Sequence, residues 1–120
     1  MSPRVHAALD YATVIFFAAV PTLLDLSSLA TTACYVLAAA HLVLTVTTRF
    51  PGGVLKLLPF RLHGAVELTV AILLPTVTVL GGAFLQPIDR FVFGAAGAVI
   101  LLVYVTTDYA DSLRHSGHVE

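Results

Sequence analysis

The sequence predicts an all-α integral membrane protein, a four-helix bundle with up-down-up-down topology. Hydrophobic residues make up 58% of the 120 residues and charged residues only 11%, which is far more apolar than an ordinary soluble domain. The charged residues divide the chain into four apolar segments, whose lengths suit membrane-spanning helices of about 20 residues. Four such helices with short connections favour a single bundle.

One transmembrane domain is therefore expected to include the whole chain. The first span must contain Asp10 or Asp25, or both, because the uncharged run between them is too short to cross a bilayer of about 30 Å. Pro21 and Pro75 fall inside spans, where neighbouring helices can satisfy the freed carbonyls. We place the spans at about residues 7–28, 30–49, 63–84 and 90–112, the connector at 50–62 and a tail at 113–120.

Basic residues predict the orientation of the bundle. Five of them belong to the N-terminus, the connector and the tail: Arg4, Arg49, Lys56, Arg61 and Arg114. By the positive-inside rule, both termini and the connector are expected to be cytoplasmic, in what we take to be a bacterial inner membrane. The connector mixes cations with apolar residues, so we expect it to lie along the interface and cover an opening to the bundle. Asp25, Asp89 and Arg90 are expected to anchor the opposite interface.

Two pairs of polar side chains carry the functional prediction. His6 precedes Asp10 by four residues, and His63 precedes Glu67 by the same interval. On a helix this spacing stacks an imidazole and a carboxylate on one face. The predicted topology brings the starts of spans one and three to the same end of the bundle. These pairs are therefore expected to supply ligands to one metal site.

The other two spans add polar side chains at the same end. His41 approaches from span two, and Asp108 and Asp111 end span four. We predict metal ligands at His6, Asp10, His63, Glu67, Asp108 and His41. As catalytic residues we predict Glu67, Asp111 and His41: a carboxylate that does not bind the metal would act as general base, and His41 or Asp111 would serve as ligand or proton-transfer group. The roles of His115 and His118 stay open.

The chain also has the pattern of a duplicated two-helix unit. The two His-x3-Asp/Glu pairs lie 57 residues apart, and the strings Val46–Thr48 and Val105–Thr107 lie 59 residues apart. Each half contains two spans, so the halves would form a parallel repeat. A duplicated ligand pair is a natural way to build a two-metal site.

The donor set favours one or two zinc ions, with iron as the alternative, because it combines nitrogen and oxygen atoms without thiolate. Zinc at a membrane face predicts hydrolysis of an amide or ester in a lipid-like substrate. A di-iron oxidoreductase is the alternative enzyme, and a metal-ion or proton transport or binding protein without catalysis is a further class. A purely structural bundle is also compatible with the pattern.

The expected partners are the lipid bilayer and a lipid-like small molecule. A net charge of −1 gives no basic surface for nucleic acid. A homodimer is a further prediction, with small residues at 38–40 or 94–97 as candidate packing surfaces.

At the repeated His-x3-Asp/Glu pairs and the late Asp108-x2-Asp111, the chain resembles small bacterial four-span membrane proteins of the SPW-repeat type. Val20-Pro21-Thr22 and Leu74-Pro75-Thr76 stand at the positions of the name-giving Ser-Pro-Trp. The arrangement of histidine and carboxylate is also similar to that of the zinc-dependent alkaline ceramidases and adiponectin receptors. That resemblance implies hydrolysis of a lipid amide.

Overall fold

The fold is a set of four α-helices joined by short connections. In a computed structural model, which describes residues 1–110, the helices are α1 (Pro3–Leu23), α2 (Ser28–Val46), α3 (Phe60–Leu80) and α4 (Pro87–Thr106). All four are long and apolar enough to cross a membrane, with mean hydropathies between 1.4 and 1.9. The all-α prediction is confirmed, and the four apolar helices indicate an integral membrane protein.

The helices begin and end earlier than the pattern of charges predicted. Helix α1 starts after Ser2, whose hydroxyl accepts from the backbone N–H of Val5, and a proline occupies its first position. This is a favourable helix start because proline has no N–H to satisfy. Asp10 lies inside α1, whereas Asp25 lies in the connection to α2.

The helices pack mainly in two pairs, α1 with α2 and α3 with α4. Residues from all four helices form the buried core, among them Phe17, Ala30, Cys34, Phe93 and Ile100. Cys34 has no exposed surface and acts as a small apolar core residue. Large hydrophobic side chains also cover the outside of the helices, as a surface in contact with lipid requires.

A glycine and a proline set the distance between α3 and α4. Pro75 interrupts the backbone bonding of α3. A Cβ atom on Gly97 would lie 2.7 Å from Cδ and 2.9 Å from Cγ of Pro75, well inside van der Waals contact. Only glycine lets α4 approach the proline ring this closely.

At one end of the bundle, Asp89 connects the starts of α2 and α4. Its Oδ1 accepts from the backbone N–H of Ser27 at 3.0 Å, and its Oδ2 accepts from that of Gln86 at 2.9 Å. Ser27 and Gln86 are the N-cap residues of the two helices, where a carboxylate also interacts favourably with the helix dipole. Asp89 was expected to anchor an interface, and in the structure its carboxylate is fully buried between the two helix starts.

At the other end, the connector between α2 and α3 folds back on the bundle. Four connector N–H groups donate to carbonyls that a free helix end would leave unpaired: those of Val54 and Leu55 to Val46, the last residue of α2, and those of Leu57 and Leu58 to its C-cap Thr47. The hydroxyl of Tyr11 donates to the carbonyl of Gly52 at 2.7 Å. The connector therefore covers this end, with Phe50 buried beneath it.

Candidate metal centre

Four potential ligands converge beneath the connector. His6 and Asp10 come from the first turns of α1, and His63 and Glu67 from the first turns of α3. The side chains are 0–3% exposed. One ligand atom from each residue lies within 4.8 Å of all the others, so this group could hold a metal ion. The four-residue core of the predicted metal site is thus assembled.

Each histidine Nε2 lies close to the other ring and to one oxygen of each carboxylate, and the two rings face different oxygens. The two Nε2 atoms of His6 and His63 are 3.3 Å apart. His6 Nε2 lies 3.3 Å from Asp10 Oδ1 and 3.1 Å from Glu67 Oε2. His63 Nε2 lies 3.2 Å from Asp10 Oδ2 and 3.4 Å from Glu67 Oε1. An ion held tetrahedrally at about 2.0–2.1 Å separates its ligand atoms by about 3.3 Å.

Two threonines hold the outer nitrogens of the histidine rings. The Nδ1 atom of His6 lies 2.7 Å from the hydroxyl of Thr107, and the Nδ1 atom of His63 lies 2.8 Å from that of Thr48. Each ring therefore has one nitrogen bonded at the edge of the site and the other, Nε2, facing the centre.

The centre is rich in acceptors. Among residues 1–110, Oδ2 of Asp10 is a buried oxygen that accepts no well-aligned hydrogen bond, although Nε2 of His63 lies 3.2 Å away. Two carboxylates share the space, and carboxylates only accept when ionised. Burying such groups without compensation is costly, more so inside a membrane. A metal ion could compensate these carboxylates, and so could protons on the two histidines.

Aromatic rings enclose the two histidines. The rings of Phe50 and Phe60 have their centroids 6.2 and 5.2 Å from that of His6, and the ring of Tyr109 lies 5.7 Å away. The Tyr109 hydroxyl donates to Oε2 of Glu67 at 3.1 Å. Burial and the neighbouring Glu67 carboxylate raise the pKa of Tyr109, so the phenol keeps its proton and remains a donor.

His41 lies beside the four residues. Its Nε2 is 3.5 Å from Oδ1 of Asp10 and 3.9 Å from Oε1 of Glu67. Within residues 1–110 this buried nitrogen has no hydrogen-bond partner. His41 and Glu67 both line a cavity of about 50 Å³, which continues between apolar side chains from all four helices. The cavity is large enough for a water molecule, which needs only about 10–15 Å³.

The remaining predicted residues lie elsewhere. Asp108 is not part of the four-residue group. Span four was predicted to continue to residue 112, but α4 ends at Thr106 and the next residue is extended, so Asp108 lies beyond the helix. Its side chain is exposed and accepts from the backbone N–H of Ala110. Asp111, His115 and His118 lie outside the described residues.

The sequence did not identify several residues that complete the centre. Thr48 and Thr107 occupy matching places in the two repeated strings, which is the signal that could have pointed to them. Phe50, Phe60 and Tyr109 had no comparable signal, since an aromatic residue near a membrane interface is common.

No protein-family model, curated protein or solved structure matches the chain. The resemblances to SPW-repeat proteins and to the ceramidase-type hydrolases therefore stay predictions. The functional argument depends on the site itself.

Proposed function

We propose that the chain is an intramembrane metal-binding protein, in which His6, Asp10, His63 and Glu67 hold one divalent ion. The observation that carries the proposal is the set of five distances of 3.1–3.4 Å between the histidine nitrogens and their neighbours. These distances agree with the ligand separation of about 3.3 Å around a tetrahedral ion.

Charge supports a divalent ion. Asp10 and Glu67 bring two negative charges when ionised, and neutral imidazoles bring none. One divalent cation therefore makes the buried centre neutral, whereas a monovalent or trivalent ion leaves a net charge in a low-dielectric region. Two protons, one on each imidazole, would also give a neutral centre, and this is the competing state.

The separation of the two Nε2 atoms favours one ion over two. In dinuclear sites the ions are about 3.5–4 Å apart. The Nε2 atoms of His6 and His63 are 3.3 Å apart, which is the spacing of two ligands on the same tetrahedral ion. The proposed stoichiometry is therefore one ion per chain, and the di-iron alternative loses support.

Zinc is the proposed metal. Nitrogen and oxygen donors in a four-coordinate arrangement suit Zn²⁺, which has no geometric preference from d electrons. Iron is the alternative, because imidazole and carboxylate also bind it.

We further propose the up-down-up-down topology, the duplicated repeat and cytoplasmic termini in a bacterial inner membrane. The repeat is supported by the matching contacts of Thr48 with His63 and of Thr107 with His6. The orientation rests on the basic residues of the connector and the N-terminus. A homodimer is proposed through the small residues at 38–40 of α2, where Ala39 and Ala40 are exposed.

Hydrolysis of a lipid-like amide or ester is the second candidate function. It is favoured by the cavity of about 50 Å³ that His41 and Glu67 line. Ile100 lines this cavity and also an apolar groove of about 270 Å³ between α1 and α4, where an acyl chain would fit. A hydrolytic site needs an open coordination position. Glu67 is the ligand proposed to vacate it, since its carboxylate already borders the cavity.

In that reaction a water molecule in the cavity attacks the carbonyl carbon. Glu67 accepts the proton of the water, and His41 donates a proton to the leaving nitrogen or oxygen. A divalent ion would supply Lewis acidity to the carbonyl oxygen. In the structure, His41 Nε2 lies 3.5 Å from Oδ1 of Asp10, so the ring already faces the site where this proton transfer would occur.

Elemental analysis of detergent-purified protein tests the proposal. The wild-type chain should contain one zinc per chain, and Glu67→Gln should lose it, because an amide is a poor metal ligand. Asp25→Asn is the matched control, since it also removes one carboxylate but at an exposed position in the α1–α2 connection. Both variants must keep the wild-type helicity and elution volume.

The outcomes separate the candidate functions. Iron with oxygen consumption would support an oxidoreductase, and zinc with turnover of a lipid amide or ester would support a hydrolase. Zinc without turnover, but with ion flux in liposomes, would support transport. Absence of metal in the wild-type protein, even after reconstitution with Zn²⁺, would refute the metal site and leave the two-proton state.

A further inference from the structure

Thr48 and Thr107 have the same unusual surroundings. Each hydroxyl lies close to two groups, a histidine ring nitrogen and a backbone carbonyl one helical turn earlier. For Thr48 these are Nδ1 of His63 at 2.8 Å and the carbonyl oxygen of Leu44 at 2.6 Å. For Thr107 they are Nδ1 of His6 at 2.7 Å and the carbonyl oxygen of Val103 at 2.5 Å.

The number of hydrogens on each group determines which atom is the donor in each threonine–histidine bond. A threonine hydroxyl has one hydrogen and two lone pairs, and a carbonyl oxygen can only accept. Without a hydrogen between them, two oxygens at 2.5–2.6 Å would repel each other. The hydroxyl hydrogen must therefore point to the carbonyl, and the threonine oxygen is left to accept from the histidine. Nδ1 of each ring then has the proton.

This direction has a consequence at the centre of the site. A neutral imidazole has one protonated nitrogen and one nitrogen with a free lone pair. With the proton on Nδ1, the lone pairs of both Nε2 atoms face Asp10 and Glu67, which is the form that binds a metal. The opposite tautomer would present an N–H group to the ion and prevent coordination.

We propose that Thr48 and Thr107 are positioning residues that select the Nδ1–H tautomer of His63 and His6 and so prepare both rings for a divalent cation. The inference rests on the proposed metal site. It adds the two groups that determine which nitrogen of each neutral ring is free to bind the ion. Outer groups of this kind hold ring orientation and raise ligand basicity in metal proteins.

The two contacts also cross between the helix pairs. Thr48 follows α2 but bonds a histidine of α3, and Thr107 follows α4 but bonds a histidine of α1. Each pair of helices therefore orients the metal ligand of the other pair. A shift of α1–α2 against α3–α4 would release both rings, so metal affinity depends on how the two pairs are docked.

The experiment measures tautomer and affinity separately. Histidine nitrogen chemical shifts of the metal-free protein in micelles, at a pH where the imidazoles are neutral, report which ring nitrogen has the proton. Competition with a chelator measures the affinity for Zn²⁺. Thr48→Val removes the hydroxyl at nearly constant shape, and Thr48→Ser keeps it. Thr107→Val gives the second, independent variant for His6.

Thr45→Val is the matched control. Thr45 is also fully buried, and its hydroxyl also donates to a carbonyl one turn earlier, that of His41 at 2.8 Å. A loss that came only from cutting such a bond or from altered packing would affect Thr45→Val equally. The tautomer of His63 should change in Thr48→Val alone.

The expected result is a mixed tautomer for His63 in Thr48→Val, with Zn²⁺ affinity reduced about 10–100-fold, as for other outer-shell changes, and restored by serine. Unchanged tautomers and affinities in both valine variants would overturn the inference while leaving the metal site intact. If the wild-type protein binds no Zn²⁺ but the valine variants still change the tautomers, the metal proposal fails and the histidine positioning stands.

Discussion

Replacing Gly64 by alanine should weaken metal binding without touching a ligand. Gly64 follows His63 on α3, and an added Cβ would lie 2.7 Å from Cε1 and Cζ of Tyr109. Carbon atoms pack at about 3.5–4.0 Å, so the tyrosine ring must retreat by about 1 Å. Its hydroxyl is 3.1 Å from Oε2 of Glu67, and this shift takes the bond beyond hydrogen-bonding range.

The magnitude follows from the bond that is lost. Removing an outer-shell hydrogen bond to a metal ligand costs about 10–100-fold in affinity, equivalent to about 1.4–2.7 kcal/mol. Alanine is also the better helix former by about 1 kcal/mol, so the helix itself should not be weakened. Chelator competition against Zn²⁺ in detergent measures the change.

Two further variants test whether the lost Tyr109 hydrogen bond causes the effect of Gly64→Ala. Gly94→Ala makes the same exchange inside α4, where the new Cβ meets nothing within 4 Å, and should keep the wild-type affinity. Tyr109→Phe removes only the hydroxyl and should reproduce the loss. Equal affinities for Gly64→Ala and Gly94→Ala would refute the role assigned to Tyr109.

Three other predictions concern the fold and the ligands. Gly97→Ala should destabilise the protein by about 1–3 kcal/mol in a detergent-unfolding titration, because its Cβ would overlap the ring of Pro75; a wild-type midpoint would contradict this packing. Asp89→Asn should cost about 1–3 kcal/mol, since the amide NH2 replaces one of the two oxygens that accept from the backbone N–H groups of Ser27 and Gln86. Asp25→Asn, at an exposed position, should stay within about 0.5 kcal/mol of wild type and serves as its control. Zn²⁺ affinity should rise between about pH 5 and pH 8, because imidazoles and carboxylates must lose protons before they bind; a flat profile would oppose these ligands.

The helices and the four central ligands could be predicted from sequence because each depends on a local rule. Runs of apolar residues between charges predict spans, and an interval of four residues places His6 with Asp10 and His63 with Glu67 on common faces. Short connections between successive spans then place the His6/Asp10 face and the His63/Glu67 face at the same end of the bundle. The structure assembles these four residues at one end of the bundle.

The rest of the site depends on where helices stop. Asp108 was predicted as a ligand by continuing the period of α4, but the helix ends at Thr106. The same ending puts Thr107 against His6 and Tyr109 against Glu67. Capping and tertiary contacts determine where a helix ends, and the spacing of polar residues in the sequence does not report them.

Asp89 shows the same limit at the opposite end. A carboxylate next to an arginine at the edge of an apolar span has the pattern of an interfacial anchor. Its burial follows from bonds to two helix starts that are distant in sequence, those of α2 and α4. Only the packing of the two helix pairs brings Ser27 to it.

X-ray absorption spectroscopy of the Zn²⁺-loaded protein tests the central claim most directly. One ion bound by His6, His63, Asp10 and Glu67 predicts four nitrogen and oxygen ligands at about 2.0–2.1 Å, two of them imidazoles, with no second metal nearby. A metal neighbour at about 3.5–4 Å would contradict the single-ion site. A shell of water-type oxygens without imidazole scattering would contradict these ligands altogether.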